Sequence, residues 1–221
     1  MVASGSRKTV FITGANGFIG SHLARYLAGR GYRVRGLVRE GSDRSFLEDV
    51  PLQVVTGDLF DREALASGME GCDTVYHVAG AIEDVDPSVL YRVNDKGTQS
   101  VLASAALVCP GLRRFLHVSS ISVMGPSLDG RPLDESSPLR PITHYGKSKL
   151  RGERAVTSSS LPWTVVRPTN ILGPGQKELF AILSALRSGI KPLIGRREKQ
   201  TTICFLDDLV RGMVEAADED K

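Results

Sequence analysis

No stretch of this sequence approaches the run of about 18 apolar residues that a membrane span requires. The first residues, MVASGSRK, lack the apolar core of a secretory leader. Cysteine is scarce: Cys72, Cys109 and Cys204 are odd in number, far apart and without CxxC spacing. That argues against a disulfide framework and a cysteine-based zinc site, and it predicts a reduced, cytoplasmic setting. No constellation of His, Cys, Asp and Glu reads as a metal site, so no metal is expected. Basic clusters are nearly lacking. The one present, Arg196-Arg197-Glu198-Lys199, is broken by a carboxylate, and the net charge of +3 is spread along the chain. A solvated turn explains it better than a nucleic-acid surface. No internal repeat or low-complexity segment occurs.

What is present is the mixture of an ordinary globule, 41% apolar and 24% charged over 221 residues. A chain of that length buries roughly 70% of its unfolded surface and needs no staples; it makes one domain, or one with an appendage. Short β-branched runs alternate with helix-like segments. Strands are predicted over Thr9–Thr13, Tyr32–Val38, Leu52–Thr56, Thr74–Val78, Arg114–Ser119 and Trp163–Arg167. Helices are predicted near Phe18–Ala28, Arg62–Met69, Ser88–Val108 and Tyr145–Ser158. The strand runs are near-continuously apolar, as in strands covered on both faces. The alternation predicts an α/β fold with a doubly wound parallel sheet, the Rossmann arrangement. After Pro168 the pattern loosens. Gly173-Pro174-Gly175 marks a turn, Lys177–Ser188 an amphipathic helix, Thr201–Phe205 a short strand, and Asp207 or Asp208 the cap of a last helix ending at Ala217. The acidic end Asp218-Glu219-Asp220 reads as frayed chain.

The segment TVFITGANGFIGSHL joins a buried strand to a helix through Gly14, Gly17 and Gly20. A pyrophosphate needs backbone that approaches without Cβ interference, followed by a helix N-terminus offering free N–H groups. Gly14 suits the tight turn, Gly17 the close approach and Gly20 the packing of helix on strand. The spacing is GxxGxxG, a weak signal alone, but it stands first in the chain between a strand and an amphipathic helix. The second strand ends at Val38, which cannot bond a ribose 2′-hydroxyl. Arg39, with Arg44 nearby, offers a planar cation suited to a 2′-phosphate. NADP(H) is therefore favoured over NAD(H).

The segment HYGKSKL puts Tyr145 and Lys149 four residues apart, on one face of a helix. A neighbouring ammonium is expected to lower the tyrosine pKa from about 10 and make the phenol a general acid or base. Ser120, at the end of the fifth strand, sits where a parallel sheet places its ligand crevice. It could supply a hydroxyl that polarises a carbonyl. Of the histidines, His22, His77 and His117 read as packed or rim residues, and His144, beside Tyr145, as a neighbour without a direct role.

In order along the chain, TGANGFIGSHL, GDL at Gly57–Leu59, HVAG at His77–Gly80, VNDKGT at Val93–Thr98, VSSISVMG, YGKSK, RPTNILGPG and FLDDLVRG resemble the motifs of the extended short-chain dehydrogenase/reductase family, also called the NAD-dependent epimerase/dehydratase family. The resemblance implies a cofactor cradle of Gly14, Asn16, Gly17, Phe18, Ile19 and Gly20. It adds Asp58 and Leu59 on the adenosine side, beside the Arg39 and Arg44 already read from the residues, and Ala79, Gly80, Pro168 and Thr169 lining the remainder. It also implies a catalytic set of Ser120, Tyr145 and Lys149, with Lys149 bridging the nicotinamide ribose. Asn94 would orient its helix, and Asp207 and Asp208 would shape a junction of the fold. Two parts follow: residues 1–167 as the NAD(P)-binding Rossmann domain, and 168–221 as a small substrate-binding region, cut short relative to the family, with closing sheet and helix elements.

Met124 stands where the family often has an aromatic residue. Ile121 and Ser122 follow Ser120 where dehydratases carry an acidic pair, which disfavours dehydratase chemistry. The expected activity is hydride transfer between NADP(H) and a secondary alcohol or ketone, on a small-molecule substrate. The alternatives are an NAD-dependent nucleotide-sugar epimerase and, from another class, a non-catalytic dinucleotide-binding sensor or scaffold. Family dimers often form through the helix with the tyrosine motif, so a homodimer is compatible with the resemblance; neither nucleic acid nor membrane is expected as a partner.

Overall fold

The computed structural model of the chain describes residues 7–82, 85–128, 130–176, 184–189 and 202–219. Six parallel strands form one sheet: β1 (Thr9–Thr13), β2 (Arg33–Val38), β3 (Gln53–Thr56), β4 (Thr74–His77), β5 (Arg114–Val118) and β6 (Trp163–Val166). Their spatial order is β3-β2-β1-β4-β5-β6. Between them run α1 (Phe18–Gly29), α2 (Arg62–Met69), α3 (Pro87–Tyr91), α4 (Thr98–Val108) and α5 (His144–Thr157). The order reverses between β1 and β4, and such a switch point opens a crevice at the carboxyl ends of the strands.

Alternation along the strands sends side chains to two cores. Val10 and Ile12 of β1 pack with Leu23 and Leu27 of α1 on one face. Phe11, Val75 and Phe115 pack with Leu65 and Met69 of α2 and Val101 of α4 on the other. Burial on both faces holds for β1 and β4. It does not hold at the edges, where β3 and β6 are largely accessible. Local caps set several helix starts: the side chains of Asp61, Asp86 and Thr143 accept hydrogen bonds from the Ala64, Ser88 and Gly146 amides.

Three expectations need correction. The helix predicted over Ser88–Val108 is interrupted by a π-helical segment, Arg92–Gly97, between α3 and α4. The last helix, α6 (Leu206–Asp218), begins at Leu206 with no side-chain cap; Asp207 and Asp208 lie inside its first turn. Carboxylates there favour the positive end of the helix dipole, which explains the acidic pair without capping. Finally, Asp218 is not frayed, because it binds Lys8 Nζ at 2.6 Å and the Tyr32 hydroxyl at 2.7 Å.

α6 packs beside α1 through Leu206, Val210 and Met213. β7 (Asn170–Leu172) and β8 (Ile203–Phe205) form a separate parallel pair. The basic run Arg196–Lys199, Thr201, Asp220 and most of the helix predicted over Lys177–Ser188 lie outside the described residues. Among the described residues no helix is long and apolar enough to cross a membrane, and no cluster of His, Cys, Asp and Glu could hold a metal ion.

Candidate active site

The glycine turn follows β1 directly. Gly14 has φ +68°, and a Cβ there would lie 2.9 Å from the Ala79 Cα, so this turn abuts the end of β4. A Cβ on Gly20 would intrude on the Gly14 carbonyl and come within 3.0 Å of the Ala15 Cα. At Gly17 it would meet only the Gly14 oxygen, at 3.2 Å. Gly17 caps α1 without a side chain, and the first turn carries no acidic residue. The first N–H groups of a helix have no partner inside it. The turn thus presents unobstructed amide donors and the positive end of a dipole, which fits an anionic pyrophosphate.

Asn16 turns its amide toward the loop after β2, donating to the Asp43 carbonyl at 2.8 Å and to Ser42 Oγ at 3.2 Å. Ser42 Oγ in turn donates to the Arg39 carbonyl at 2.6 Å. These bonds tie the glycine turn to the stretch that carries Arg39 and Arg44, both exposed. Phe18 and Ile19 are half-buried and pack on the core beneath α1. Asp58 is exposed, with Oδ1 accepting from the Phe60 and Asp61 amides. The Leu59 side chain is buried in the second core, which leaves any ligand contact to its main chain.

Beyond β4, Asn94 is nearly inaccessible. Its Oδ1 accepts from the Ala81 amide at 2.9 Å, and its Nδ2 donates to the Ala81 carbonyl at 2.8 Å and to Ser148 Oγ at 2.9 Å. One side chain thus clamps the loop containing Ala79 and Gly80 to α5. It does so from the π-helical segment, whose wider turn carries Asn94.

Tyr145, Ser120 and Lys149 converge at the carboxyl edge. Lys149 is buried and donates from Nζ to the Val118 carbonyl at 2.6 Å, two residues before Ser120. Ser120 Oγ accepts from the Ser122 amide at 3.2 Å. The Ser120 side chain also lies near enough to the Tyr145 phenol to oppose the effect of burial on it. The Ile121 amide donates to the Pro168 carbonyl at 3.0 Å, bringing the Pro168–Thr169 segment alongside. Thr169 Oγ1 is committed to the Thr202 carbonyl at 2.7 Å.

The electrostatics differ from expectation in one respect. Burial pushes the Tyr145 phenol above its usual value, opposed only by Ser120. The Lys149 ammonium, directed at the Val118 carbonyl, is not among the groups that draw it down. Burial also lowers Lys149, to about 8, against an upward push from Glu153. Both groups are thus displaced toward their neutral forms, as groups closed off from water are.

Sequence reasoning missed a polar layer beneath this site. Thr13, His77 and His117 lie side by side in register on β1, β4 and β5. Thr98 Oγ1 donates to the Asn94 carbonyl at 2.8 Å, so it accepts from His77 Nε2, 2.9 Å away. His77 Nδ1 is left to accept from Thr13 Oγ1 at 2.8 Å, and that oxygen also accepts from the Ala79 amide at 3.2 Å. This chain of donors requires a neutral ring. Glu153 is the other omission. It accepts from Ser119 Oγ at 2.6 Å and from Arg167 Nη2 at 2.6 Å and Nε at 3.2 Å. Its spacing from Lys149 was visible in the sequence, but its partners come from two other strands.

A phenol, a serine hydroxyl and a buried ammonium around one crevice can protonate or deprotonate an oxygen on a bound carbonyl or alcohol. Residues 10–221 match the NAD dependent epimerase/dehydratase family. The chain is 34% identical to the ceramide reductase of Caulobacter vibrioides, across 98% of this chain and 67% of that protein. It is 30% identical to the human decarboxylating sterol-4-alpha-carboxylate 3-dehydrogenase, across 96% of this chain and 58% of that protein. Among solved structures, Bordetella bronchiseptica WbmH in complex with NAD+ superposes with a TM-score of 0.82 at 29% identity, covering 96% of this chain and 73% of that one. The chain spans about 58 to 67% of the length of these two curated relatives.

Proposed function

The chain belongs to the NAD-dependent epimerase/dehydratase family of extended short-chain dehydrogenase/reductases, and from that premise we propose that it is an NADP(H)-dependent oxidoreductase acting on a secondary alcohol or ketone. The observation that carries the proposal is the half-buried Tyr145 phenol, near Ser120 and on the same helix as the buried Lys149, with only β4 between that strand end and a glycine turn fitted to pyrophosphate. In this reading the nicotinamide supplies or accepts the hydride. Tyr145 transfers the proton to or from the substrate oxygen. Ser120 holds that oxygen in place. Lys149 orients the nicotinamide ribose, and Ala79, Gly80, Pro168 and Thr169 border the cofactor. A phenol held in its protonated form suits donation to a nascent alkoxide, the step a reductase needs.

Cofactor choice rests on the end of β2. Arg39 and Arg44 are exposed, and no hydrogen bond or ion pair engages either side chain among the described residues. Two unengaged guanidinium groups beside the phosphate turn suit a 2′-phosphate better than a hydroxyl. The apolar character of several exposed residues on loops at the carboxyl edge, Ile82, Ile121, Leu128 and Ile142, supports a hydrophobic substrate. The ceramide and sterol named for the two relatives are of that class.

Replacing Arg39 by Ala tests the cofactor reading. NADPH affinity should fall about tenfold or more, the worth of a charge-assisted contact, while NADH affinity stays within twofold. An unchanged NADPH/NADH ratio removes the 2′-phosphate argument. The second reading, an epimerase, is favoured by the NAD+ held in the WbmH structure. An epimerase should carry tightly held NAD through purification, whereas a reductase should exchange NADPH freely.

A further inference from the structure

Glu153 is buried on α5 with a side chain only 3% exposed. Tyr145, Lys149 and Glu153 follow at four-residue intervals and form one stripe down the helix. Both carboxylate oxygens are occupied, and the partners come from different places. Ser119, the residue before Ser120, reaches one oxygen from the end of β5. Arg167, the residue before Pro168, forks across both from the end of β6. Such charge-assisted bonds are directional and strong, and a bidentate guanidinium fixes geometry as well as charge. One carboxylate therefore ties together the three segments that carry Lys149, Ser120 and Pro168.

A structural salt bridge between α5 and β6 alone would not require the extra hydroxyl, nor the placement one turn below Lys149. Burying an unpaired ammonium is costly. The groups facing Lys149 give it little help: His77 on β4 and His117 on β5 are held neutral by burial, while Asn94 and Ser148 are uncharged. In the adjoining π-helical segment, Asp95 is committed to Gln99 and Arg151. Glu153 supplies the charge that favours the ammonium, and its hydrogen bonds to Arg167 push that guanidinium above its usual value, with the charges of Glu153 and Glu135 adding to the push.

We propose that Glu153 is a positioning residue for the reaction: anchored by Ser119 and Arg167, it keeps the Lys149 ammonium charged and sets Lys149 in register with Ser120 and the Pro168 segment. The inference rests on the proposed role of the Tyr145–Lys149 pair, so its first test does not use turnover. In the 221-residue chain with isotope-labelled lysine, the Lys149 side-chain resonances, assigned by comparison with Lys149→Met, give its titration directly. Glu153→Gln keeps the shape but removes the charge, and should move the Lys149 midpoint down by about 1 unit or more. Arg167→Gln removes the competing cation and should move it up. The opposite signs separate an electrostatic role from loosened packing, and the second variant keeps the test decisive if the first fails to fold.

With cofactor and substrate present, the alkaline limb of the rate profile should shift in the same directions. An unmoved Lys149 midpoint in a folded Glu153→Gln protein overturns the proposal. So does a downward shift in Arg167→Gln. Should the midpoints move as expected while Tyr145→Phe retains full turnover, the fault lies in the reading of the catalytic pair and not in Glu153.

Discussion

His77 and His117 should make the protein acid-sensitive within a narrow window. The rings stack across β4 and β5, 5.2 Å between centroids and 25° from parallel, and neither is reached by solvent. Burial, reinforced by the Lys149 charge, lowers His77 to about 3 and His117 well below its usual value. Both stay neutral in the folded chain at pH 5. In the unfolded chain they take up protons as pH falls through about 6.5. The unfolded state then binds more protons, so stability falls with falling pH below that point. Each ring contributes a limiting slope of about 1.4 kcal/mol per pH unit, and the pair should remove about 3 kcal/mol between pH 6.5 and 5. That is a large share of the about 5–15 kcal/mol that typically separates folded from unfolded protein.

Two other shifted groups, Asp218 and Lys149, act outside this window. The lowered carboxyl of Asp218 gives stability that is lost only as pH drops through the acid range below it. Lys149, at about 8 when folded, is charged in both states below pH 7 and contributes a constant. Urea unfolding followed by circular dichroism at pH 6.5 and pH 5 measures the loss. In His117→Leu one titrating ring is gone, and the limiting slope should halve. That ring has no hydrogen-bond partner for either nitrogen among the described residues, so the change should cost little at pH 7. A parental loss under about 1 kcal/mol, or an identical slope in His117→Leu, would refute the reasoning.

Gly20→Ala should destabilise the chain by about 1–3 kcal/mol, because the added Cβ meets Gly14 and Ala15 backbone that cannot rotate aside. It should also weaken dinucleotide binding, since the phosphate turn moves with it; denaturant melts and a binding titration check both, and unchanged values count against the proposed cradle. Tyr145→Phe should slow turnover by about 100- to 10,000-fold while cofactor affinity stays within twofold. Steady-state kinetics with a cofactor titration decide it, and equal losses in rate and binding would contradict a proton role.

The local patterns were legible because they depend on neighbours in the chain. Thr9–Thr13 followed by Gly14, Gly17 and Gly20 announced strand, turn and helix, and α5 was visible as an amphipathic segment carrying Tyr145 and Lys149 four residues apart. Strand–helix alternation was sufficient to predict the parallel sheet. Errors fell where a residue's state depends on something distant. Asp218 looked like a frayed end until Lys8 and Tyr32 came to meet it. Lys149 was expected to lower the Tyr145 pKa, but the Val118 carbonyl holds its ammonium and burial raises the phenol instead.

The sequence by itself determined the fold class and which residues stand at the carboxyl edge, because apolar periodicity and glycine positions are properties of contiguous chain. Only tertiary structure decided the protonation of those residues and what supports them. Glu153 finds Ser119 and Arg167 across 34 and 14 residues of sequence, and His77 meets Thr13 and Thr98 across 64 and 21. Desolvation and pairing act through space, so a group's charge is fixed only when the strands that enclose it come together.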